Sequence, residues 1–379
     1  MKIVIAPDSF KESMTALEAA NAIEEGFSSV LPQAHFQKVP MADGGEGTVQ
    51  SIIDATGGTL KKLTVTGPLE EKVEAFYGLS GDKKIAVIEM AASSGLDKVR
   101  PEDRNPLLTT TYGFGELISD ALDEGVEEIL LGIGGSATND GGAGMIMGLG
   151  GKLLDKAHHS ISPNGKGLKD LASIDVTDMH KRISEVTFRA ACDVDNPLTG
   201  EQGASYIYGP QKGGTKEQLD ILEGNLKHFA QLIKEQLGKD IEHIPGAGAA
   251  GGLGAGIMAF LDGHLERGGD LLVDMLGLKE KIKDADLVIT GEGGINHQTI
   301  YGKTPIAVSR VAKKYGVPTI ALAGCLNQGY DNIYDEGINA VFSIIPEFTS
   351  LEEALGNGYH NLKATAANCA KVLSIGMIS

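Results

Sequence analysis

The chain of 379 residues has no tryptophan, few aromatic side chains, only three cysteines and no long hydrophobic run. The cysteines, Cys192, Cys325 and Cys369, are far apart and form no C-x-x-C pair, so neither a zinc site nor a disulfide framework is expected. Reduced thiols fit a cytoplasmic protein. The first apolar run, residues 3–6, is too short for a signal peptide and is predicted to be a buried strand, and we expect no membrane partner.

Positive charge is also scarce. The chain has 33 Lys and Arg residues against 51 Asp and Glu residues, which gives a formal net charge of −18. An acidic surface repels phosphate backbones, so we expect no nucleic-acid partner. A small anionic substrate remains compatible with this charge, because a local site can be cationic within a negative field.

Glycine, by contrast, is abundant. The chain has 52 glycines, about twice the usual frequency of roughly 7%. A collagen or a disordered linker is excluded, because there are only 13 prolines and no three-residue glycine period, and 42% of the residues are hydrophobic. The chain can therefore bury a large core, and its length favours two domains.

Short apolar runs alternate with amphipathic helical patterns along most of the chain. Thr15 and Glu18 have the spacing of a capping box before a helix predicted over residues 16–30. Residues 39–42 are predicted to form a strand. The alternation predicts an α/β fold with a parallel sheet, and the β-like runs after residue 63 predict a second, mixed domain.

The strongest local motif follows an apolar run, residues 129–133, and consists of glycines interleaved with small polar residues. Ligands bind beyond the carboxyl ends of parallel strands, and glycines let backbone N–H groups approach a phosphate closely. We interpret the motif as a phosphate-binding loop. A tight strand–helix turn without a ligand is the alternative. The candidate ligands are Gly134, Gly135, Ser136, Thr138, Asn139 and Asp140.

Residues 41–48 have the same form, an apolar run followed by an acidic glycine loop. Asp43 and Glu46 are three residues apart and are candidate ligands for Mg²⁺, which prefers oxygen ligands. An alternative of equal weight is that both residues only lie at the start of a helix, where the helix dipole favours acidic side chains.

Two further strand ends carry polar residues. Asp8, Ser9 and Lys11 follow the first strand, and Lys11 is suited to neutralising the charge of a phosphate. Asp193 is a candidate general base, and Asn196 is a candidate ligand for a metal or a substrate. The alternative for this second segment is an ordinary Asx turn before a proline.

A last strand end is followed by glycines. Glu292 lies among these glycines and Lys303 follows soon after, so both are candidate substrate or nucleotide ligands. Residues 302–304 spell the end of a P-loop but lack its first glycine at position 297. Residues 246–251 spell a dinucleotide fingerprint without a preceding strand, so close helix packing is the favoured interpretation.

Taken together, these motifs resemble those of the glycerate kinases of bacterial glycerate and glucarate catabolism. Several of the matching segments are long and ungapped, and they extend over essentially the whole chain. They are residues 6–13, 42–48, 132–142, 191–193, 196–198, 209–213 and 246–252.

The resemblance implies ATP- and Mg²⁺-dependent phosphorylation of D-glycerate, and we favour 2-phosphoglycerate over 3-phosphoglycerate as the product. It also implies two domains. One is a discontinuous Rossmann-like domain with a parallel sheet, residues 1–64 plus 280–379. The other is an inserted mixed α/β domain, residues 65–279, and residues 110–140 are compatible with either. A homo-oligomer is left open.

The chain departs from the family at Gly294 and Asn296, where Arg and Asp are common. Because an asparagine cannot accept the proton, the base is placed at Asp193. Two alternatives stay open. One is a catalytically impaired sensor that binds a nucleotide or an organic acid, and the other is an NAD-dependent hydroxy-acid dehydrogenase.

Overall fold

The computed structural model describes residues 1–42, 47–297 and 299–376. Contacts between Cα atoms divide the chain into two compact units. The terminal unit comprises Met1–Asp43, Gln50–Ala55 and Arg267–Ser379, and the inserted unit comprises Gly44–Val49 and Thr56–Glu266. The domain bounds expected from the resemblance, 1–64 plus 280–379 and 65–279, stay a prediction.

The strands of the described chain are β1 (Lys2–Ile5), β2 (His35–Lys38), β3 (Thr59–Thr66), β4 (Lys72–Leu79), β5 (Ile85–Glu89), β6 (Glu128–Gly132), β7 (Lys152–Leu154), β8 (Ser173–Asp175), β9 (Thr187–Ala191), β10 (His264–Glu266), β11 (Leu287–Ile295), β12 (Thr319–Leu326) and β13 (Ala340–Ser343).

The helices are α1 (Ala16–Ser28), α2 (Thr48–Thr56), α3 (Ala91–Ser94), α4 (Tyr112–Asp123), α5 (Ala143–Gly148), α6 (Ala204–Tyr208), α7 (Lys216–Leu237), α8 (Ala249–Phe260), α9 (Gly268–Met275), α10 (Leu278–Ile282), α11 (Thr304–Tyr315), α12 (Leu351–Gly356) and α13 (Gly358–Gly376). Short 3-10 helices occur at Leu96–Lys98, Pro101–Asp103, Gly167–Asp170, Lys181–Glu185, Pro210–Lys212, Thr299–Tyr301 and Tyr330–Glu336. Across the described residues, no helix has the length and apolarity needed to cross a membrane.

The terminal unit is built on a five-stranded sheet in the order β13-β12-β11-β1-β2, in which every neighbouring pair is parallel. Alternate residues of β12 are buried on opposite faces of this sheet. Ile320 and Leu322 belong to a core cluster with residues of α1 and α13, whereas Ala321 and Ala323 pack in a second cluster with Ile306 of α11. Helices therefore cover both faces, as in a Rossmann-like fold.

The inserted unit contains a six-stranded sheet in the order β10-β9-β6-β5-β4-β3. Strands β5, β6, β9 and β10 are parallel to one another, and β3 and β4 extend the sheet in antiparallel fashion. A separate antiparallel pair joins β7 and β8. The prediction of an α/β protein with one parallel and one mixed sheet is therefore confirmed.

Two local predictions around α1 have different outcomes. The capping box is present, because Thr15 N–H donates to Glu18 Oε2 (2.8 Å) and Glu18 N–H donates to Thr15 Oγ1 (3.2 Å). The strand predicted over residues 39–42 was wrong, since β2 lies four residues earlier, at His35–Lys38. Pro40 has no N–H to donate to a neighbouring strand, which disfavours a strand through residues 39–42. The observed strand β2 lies at the edge of the sheet, and its mostly polar sequence lacks the apolar pattern by which a strand is recognised.

Candidate active site

A cavity of about 540 Å³ lies in the terminal unit where β1, β11 and β12 end. Its polar lining includes Asp8, Ser9, Lys11, Glu292 and Lys303, and these are all five of the candidates that sequence analysis placed at the ends of β1 and β11. Because β1 and β11 are parallel neighbours, their carboxyl ends open at the same edge of the sheet. The sheet thus brings residues almost 300 positions apart in the sequence to one site.

Asp8 joins the end of β1 to the beginning of α11. Its side chain is only 8% exposed. Ser9 N–H donates to Asp8 Oδ1 (2.6 Å), and Thr304 Oγ1 donates to Asp8 Oδ2 (2.8 Å). Both carboxylate oxygens therefore accept hydrogen bonds that fix the loop carrying Ser9 and Lys11.

Glu292, on β11, also holds neighbouring segments in place through its carboxylate. Thr299 Oγ1 donates to its Oε1 (2.8 Å), and Lys303 Nζ lies 3.1 Å from its Oε2. Glu292 is 7% exposed, whereas about a third of the Lys303 side chain is accessible. Lys303 is also the N-cap residue of α11, where unpaired backbone N–H groups add positive potential. Lys303 and the exposed Lys11 form what we call the cationic part of the cavity, and the buried carboxylates of Asp8 and Glu292 beside them offset its charge.

The glycine loop of the inserted unit follows β6 and divides into two halves. Gly134 and Gly135 are exposed, and Gly135 has a left-handed φ of 73°. Ser136 is 7% exposed, and the side chains of Thr138, Asn139 and Asp140 are fully buried. Only the first half of the predicted phosphate-binding loop is therefore accessible along its backbone.

Asp140 has its hydrogen-bond partners inside the protein. Its Oδ2 accepts from the N–H (2.8 Å) and Oγ1 (2.7 Å) of Thr111 and from the N–H of Gly144 (3.2 Å), and its Oδ1 accepts from the N–H of Gly142 (3.1 Å). Burial raises the pKa of this carboxyl, and the bonds from Thr111 and the two glycines oppose the shift. The carboxylate connects the starts of α4 and α5 and so holds the loop in place.

Lys212 was not among the predicted site residues, although it lies in the matched segment 209–213. Its side chain is buried, and its Nζ donates to Ser136 Oγ (2.6 Å) and to the carbonyl oxygen of Thr138 (2.6 Å). Burial lowers the pKa of this lysine to about 7, and the charge of Asp140 acts in the opposite direction. No sequence signal indicates that a lysine 76 positions away contacts Ser136.

Residues 246–252 pack against the same loop. Gly251 has a φ of +69°, and a Cβ at this position would lie 2.0 Å from the carbonyl oxygen of Thr138. Gly141 N–H also donates to Gly251 O (3.0 Å). The close approach of the two backbones explains why glycines occupy these positions.

The side chains of Thr138 and Asn139 are incompletely paired. Asn139 Nδ2 donates to Ser205 Oγ (3.1 Å). Within the described part of the chain, the buried Asn139 Oδ1 and Thr138 Oγ1 have no hydrogen-bond partner. Buried polar atoms in proteins are nearly always hydrogen-bonded, so these two atoms distinguish the loop from the fully paired Asp140 beside it.

Asp193 and Asn196 follow β9 but differ in their surroundings. Asp193 is exposed. Asn196 Nδ2 donates to the carbonyl oxygen of Gln202 (2.8 Å), and its Oδ1 accepts from the hydroxyl of Tyr208 (2.6 Å). The amide of Asn196 is therefore engaged in holding its own loop.

The predicted metal ligands Asp43 and Glu46 lie outside the described residues. Among residues 1–42, 47–297 and 299–376, no group of three or more His, Cys, Asp or Glu side chains is arranged to hold a metal ion.

Comparison with known proteins gives concordant results. The family model described as the glycerate kinase family matches residues 3–374. A glycerate kinase of Halalkalibacterium halodurans is 58% identical over 98% of both chains. A glycerate 2-kinase of Escherichia coli is 51% identical over 100% of this chain and 99% of the relative's length. A solved structure of glycerate kinase 2 from Salmonella typhimurium superposes with a TM-score of 0.94 at 51% identity and covers 100% of both chains.

Proposed function

Because the chain belongs to the glycerate kinase family, we propose that it transfers a phosphoryl group from ATP to D-glycerate in a Mg²⁺-dependent reaction and forms 2-phosphoglycerate. Membership confirms the predicted resemblance and the predicted class of enzyme, a kinase that acts on an alcohol group. The relatives do not favour the sensor or the NAD-dependent dehydrogenase. The name of the Escherichia coli relative, glycerate 2-kinase, supports the choice of the 2-hydroxyl.

The cationic part of the terminal unit's cavity is the observation that carries this proposal. Phosphoryl transfer depends on positioning and on neutralising charge more than on covalent help from the protein. Lys11 and Lys303 supply positive charge at the cavity, and Asp8 and Glu292 hold the segments that carry them. We assign Lys11 to balancing the charge of a phosphate or of the glycerate carboxylate. Ser9 is assigned to hydrogen bonding with the same anion.

In the inserted unit, the exposed backbone of Gly134 and Gly135 is assigned to a phosphate, and Ser136, whose hydroxyl accepts from Lys212, supports this backbone from inside. Successive backbone N–H groups around a left-handed residue form an anion-binding concavity, and Gly135 has such a conformation. Asp140 and Lys212 position this loop from inside the protein, and Asn139 and Asn196 contribute to the surrounding structure.

Asp193 is assigned as the base that accepts the proton of the attacking hydroxyl. Its exposure after β9 is compatible with access to substrate. Asp43 and Glu46, or Asp193, would hold Mg²⁺, whose charge offsets that of the phosphates. A cytoplasmic location and assembly into a homo-oligomer stay predictions.

One experiment tests the activity and its regiochemistry together. The purified protein is incubated with ATP, Mg²⁺ and D-glycerate, and the product is identified by ³¹P and ¹³C NMR while ADP is measured. We expect 2-phosphoglycerate and an equal amount of ADP. A product phosphorylated on the 3-hydroxyl contradicts the regiochemistry. Absence of glycerate-dependent ADP release contradicts the kinase, and NAD⁺ reduction with glycerate would support the dehydrogenase instead.

A further inference from the structure

The cavity of the terminal unit has an apolar part that the proposed chemistry has not used. Ile344 and Ile345 follow β13, and Leu351, Ala354 and Leu355 belong to α12. The sheet order places β13 two strands away from β11 and three from β1. The carbonyl oxygen of Leu355 accepts a hydrogen bond from Ser13 Oγ, so α12 brings the apolar part against the loop that carries Lys11.

From this arrangement we propose that the apolar part, formed by Ile344, Ile345, Leu351, Ala354 and Leu355, binds the base of the phosphoryl-donor nucleotide. The inference rests on the proposed kinase function and adds the location of one end of the donor. The cationic part with Lys11 and Lys303 then receives the anionic end of the same molecule.

The chemistry of the two reactants supports this occupant. D-glycerate is a three-carbon acid whose groups are nearly all polar, so it gains nothing from an apolar wall. The purine base of ATP is flat and largely apolar, and the triphosphate at its other end is anionic. The cavity volume of about 540 Å³ lies within the usual range for small-molecule sites, roughly 300–1,000 Å³, and exceeds what glycerate needs.

The apolar wall is held in place before any ligand binds. Ser350 is the N-cap of α12 in a capping box with Glu353, and Ser13 Oγ donates to the carbonyl oxygen of Leu355 (2.7 Å). Leu351 and Leu355 are four residues apart and so lie on one face of the helix. Leu351 is 74% exposed. A bound base would cover this leucine, and a preformed wall lowers the entropic cost of binding.

Cys325 provides a reporter within the same cavity. Its side chain is exposed and lines the cavity, whereas Cys192 is half-buried in the inserted unit and Cys369 is buried. We expect ATP to slow the alkylation of Cys325 by N-ethylmaleimide, mapped by mass spectrometry, relative to the same protein without a nucleotide. Adenosine should protect as well, and tripolyphosphate should protect less than ATP.

The matching variant is Leu351→Asp, which places a charge on the apolar wall at an exposed position. We expect the KM for ATP and the Kd for adenosine to rise on the order of tenfold, with the KM for D-glycerate unchanged. Val372→Asp is the control, because Val372 is a similarly exposed apolar residue (64%) on α13 outside the cavity. It should leave both constants unchanged.

The outcomes separate this inference from the proposed function. If the wild-type protein phosphorylates glycerate but adenosine fails to protect Cys325 and Leu351→Asp leaves the KM for ATP unchanged, the base site is wrong and the kinase stands. If adenosine protects Cys325 but no glycerate is phosphorylated, the base site stands and the proposed acceptor is wrong. Protection by tripolyphosphate equal to that by ATP, with none by adenosine, also contradicts the base site.

Discussion

The cavity of the terminal unit and the glycine loop of the inserted unit follow parallel strands in the same way, but they use their polar residues differently. At the cavity, Lys11 is exposed and Lys303 is partly accessible. In the loop, Thr138 and Asp140 are fully buried, and Asp140 accepts four hydrogen bonds from the protein. Polar residues at a strand end therefore either face a ligand or hold the loop that does, and burial separates the two roles.

The largest expected effect concerns an exposed carboxylate of the inserted unit, Asp193. Asp193→Asn removes the proposed base while keeping the size of the side chain, so kcat should fall about 10²–10⁴-fold, with the melting temperature unchanged. Steady-state kinetics and thermal unfolding measure the two quantities. Asp195→Asn, a neighbouring exposed carboxylate, is the control. Near-normal turnover of Asp193→Asn would remove this residue from the base role.

The buried carboxylate of the same unit should behave in the opposite way. Asp140→Ala leaves the donors of Thr111, Gly142 and Gly144 without their acceptor, so the free energy of unfolding should fall by about 3–4 kcal/mol. Urea unfolding measures this change, and Asp170→Ala, at an exposed position of the same unit, should stay within about 0.5 kcal/mol of wild type. If Asp140→Ala kept wild-type stability but lost ATP binding, Asp140 would be a ligand and the contrast with the cavity would fail.

Lys212 tests the buried half of the loop through its pH dependence. Its pKa is lowered by burial to about 7 in the folded protein, whereas an unfolded lysine titrates near 10.4. Above pH 7 the unfolded state binds more protons, so stability from this group rises with pH towards the unfolded pKa. Below pH 7 both states are protonated and the cost of burying the charge is present in full.

The corresponding variant is Lys212→Met, which removes the titrating amine. Between about pH 6 and pH 9, the free energy of unfolding of the wild type should gain on the order of 2–3 kcal/mol relative to the variant. Asp140 is the charged group that faces Lys212. A difference that is flat over this range would mean that Lys212 keeps an ordinary pKa.

Much of this architecture follows from local sequence patterns. The alternation of apolar runs and amphipathic helices predicted the parallel sheet, and the Thr15–Glu18 spacing predicted the capping box. Five candidate residues at the ends of β1 and β11 line one cavity. Parallel strands present their carboxyl ends at one edge of the sheet, so the location of a polar residue directly after a strand can be predicted from the sequence. The role of these five residues as ligands stays a prediction.

The remaining features depend on contacts between distant segments. Burial of Lys212 against Ser136 joins residues 76 positions apart, and no pattern near either one encodes it. The second strand was predicted four residues too late, because the edge strand His35–Lys38 is mostly polar and gives no apolar pattern. The apolar wall carried by Leu351 and Leu355 lies after the last strand. It reaches the cavity through the sheet order and through the contact of Leu355 with the distant Ser13, and no local pattern encodes that contact.

The smallest expected effect lies at the cavity itself. Lys11→Ala removes one exposed charge, so the KM for ATP or for D-glycerate should rise about tenfold, and the melting temperature should not change. Lys371→Ala, an exposed lysine on α13 of the same unit, is the control. Because salt screens an exposed charge, the difference between wild type and Lys11→Ala should shrink as ionic strength rises. Unchanged KM values for both substrates would count against the charge-balancing role. A lower melting temperature would mean that Lys11 stabilises its loop, as the buried residues of the glycine loop do, rather than facing a ligand.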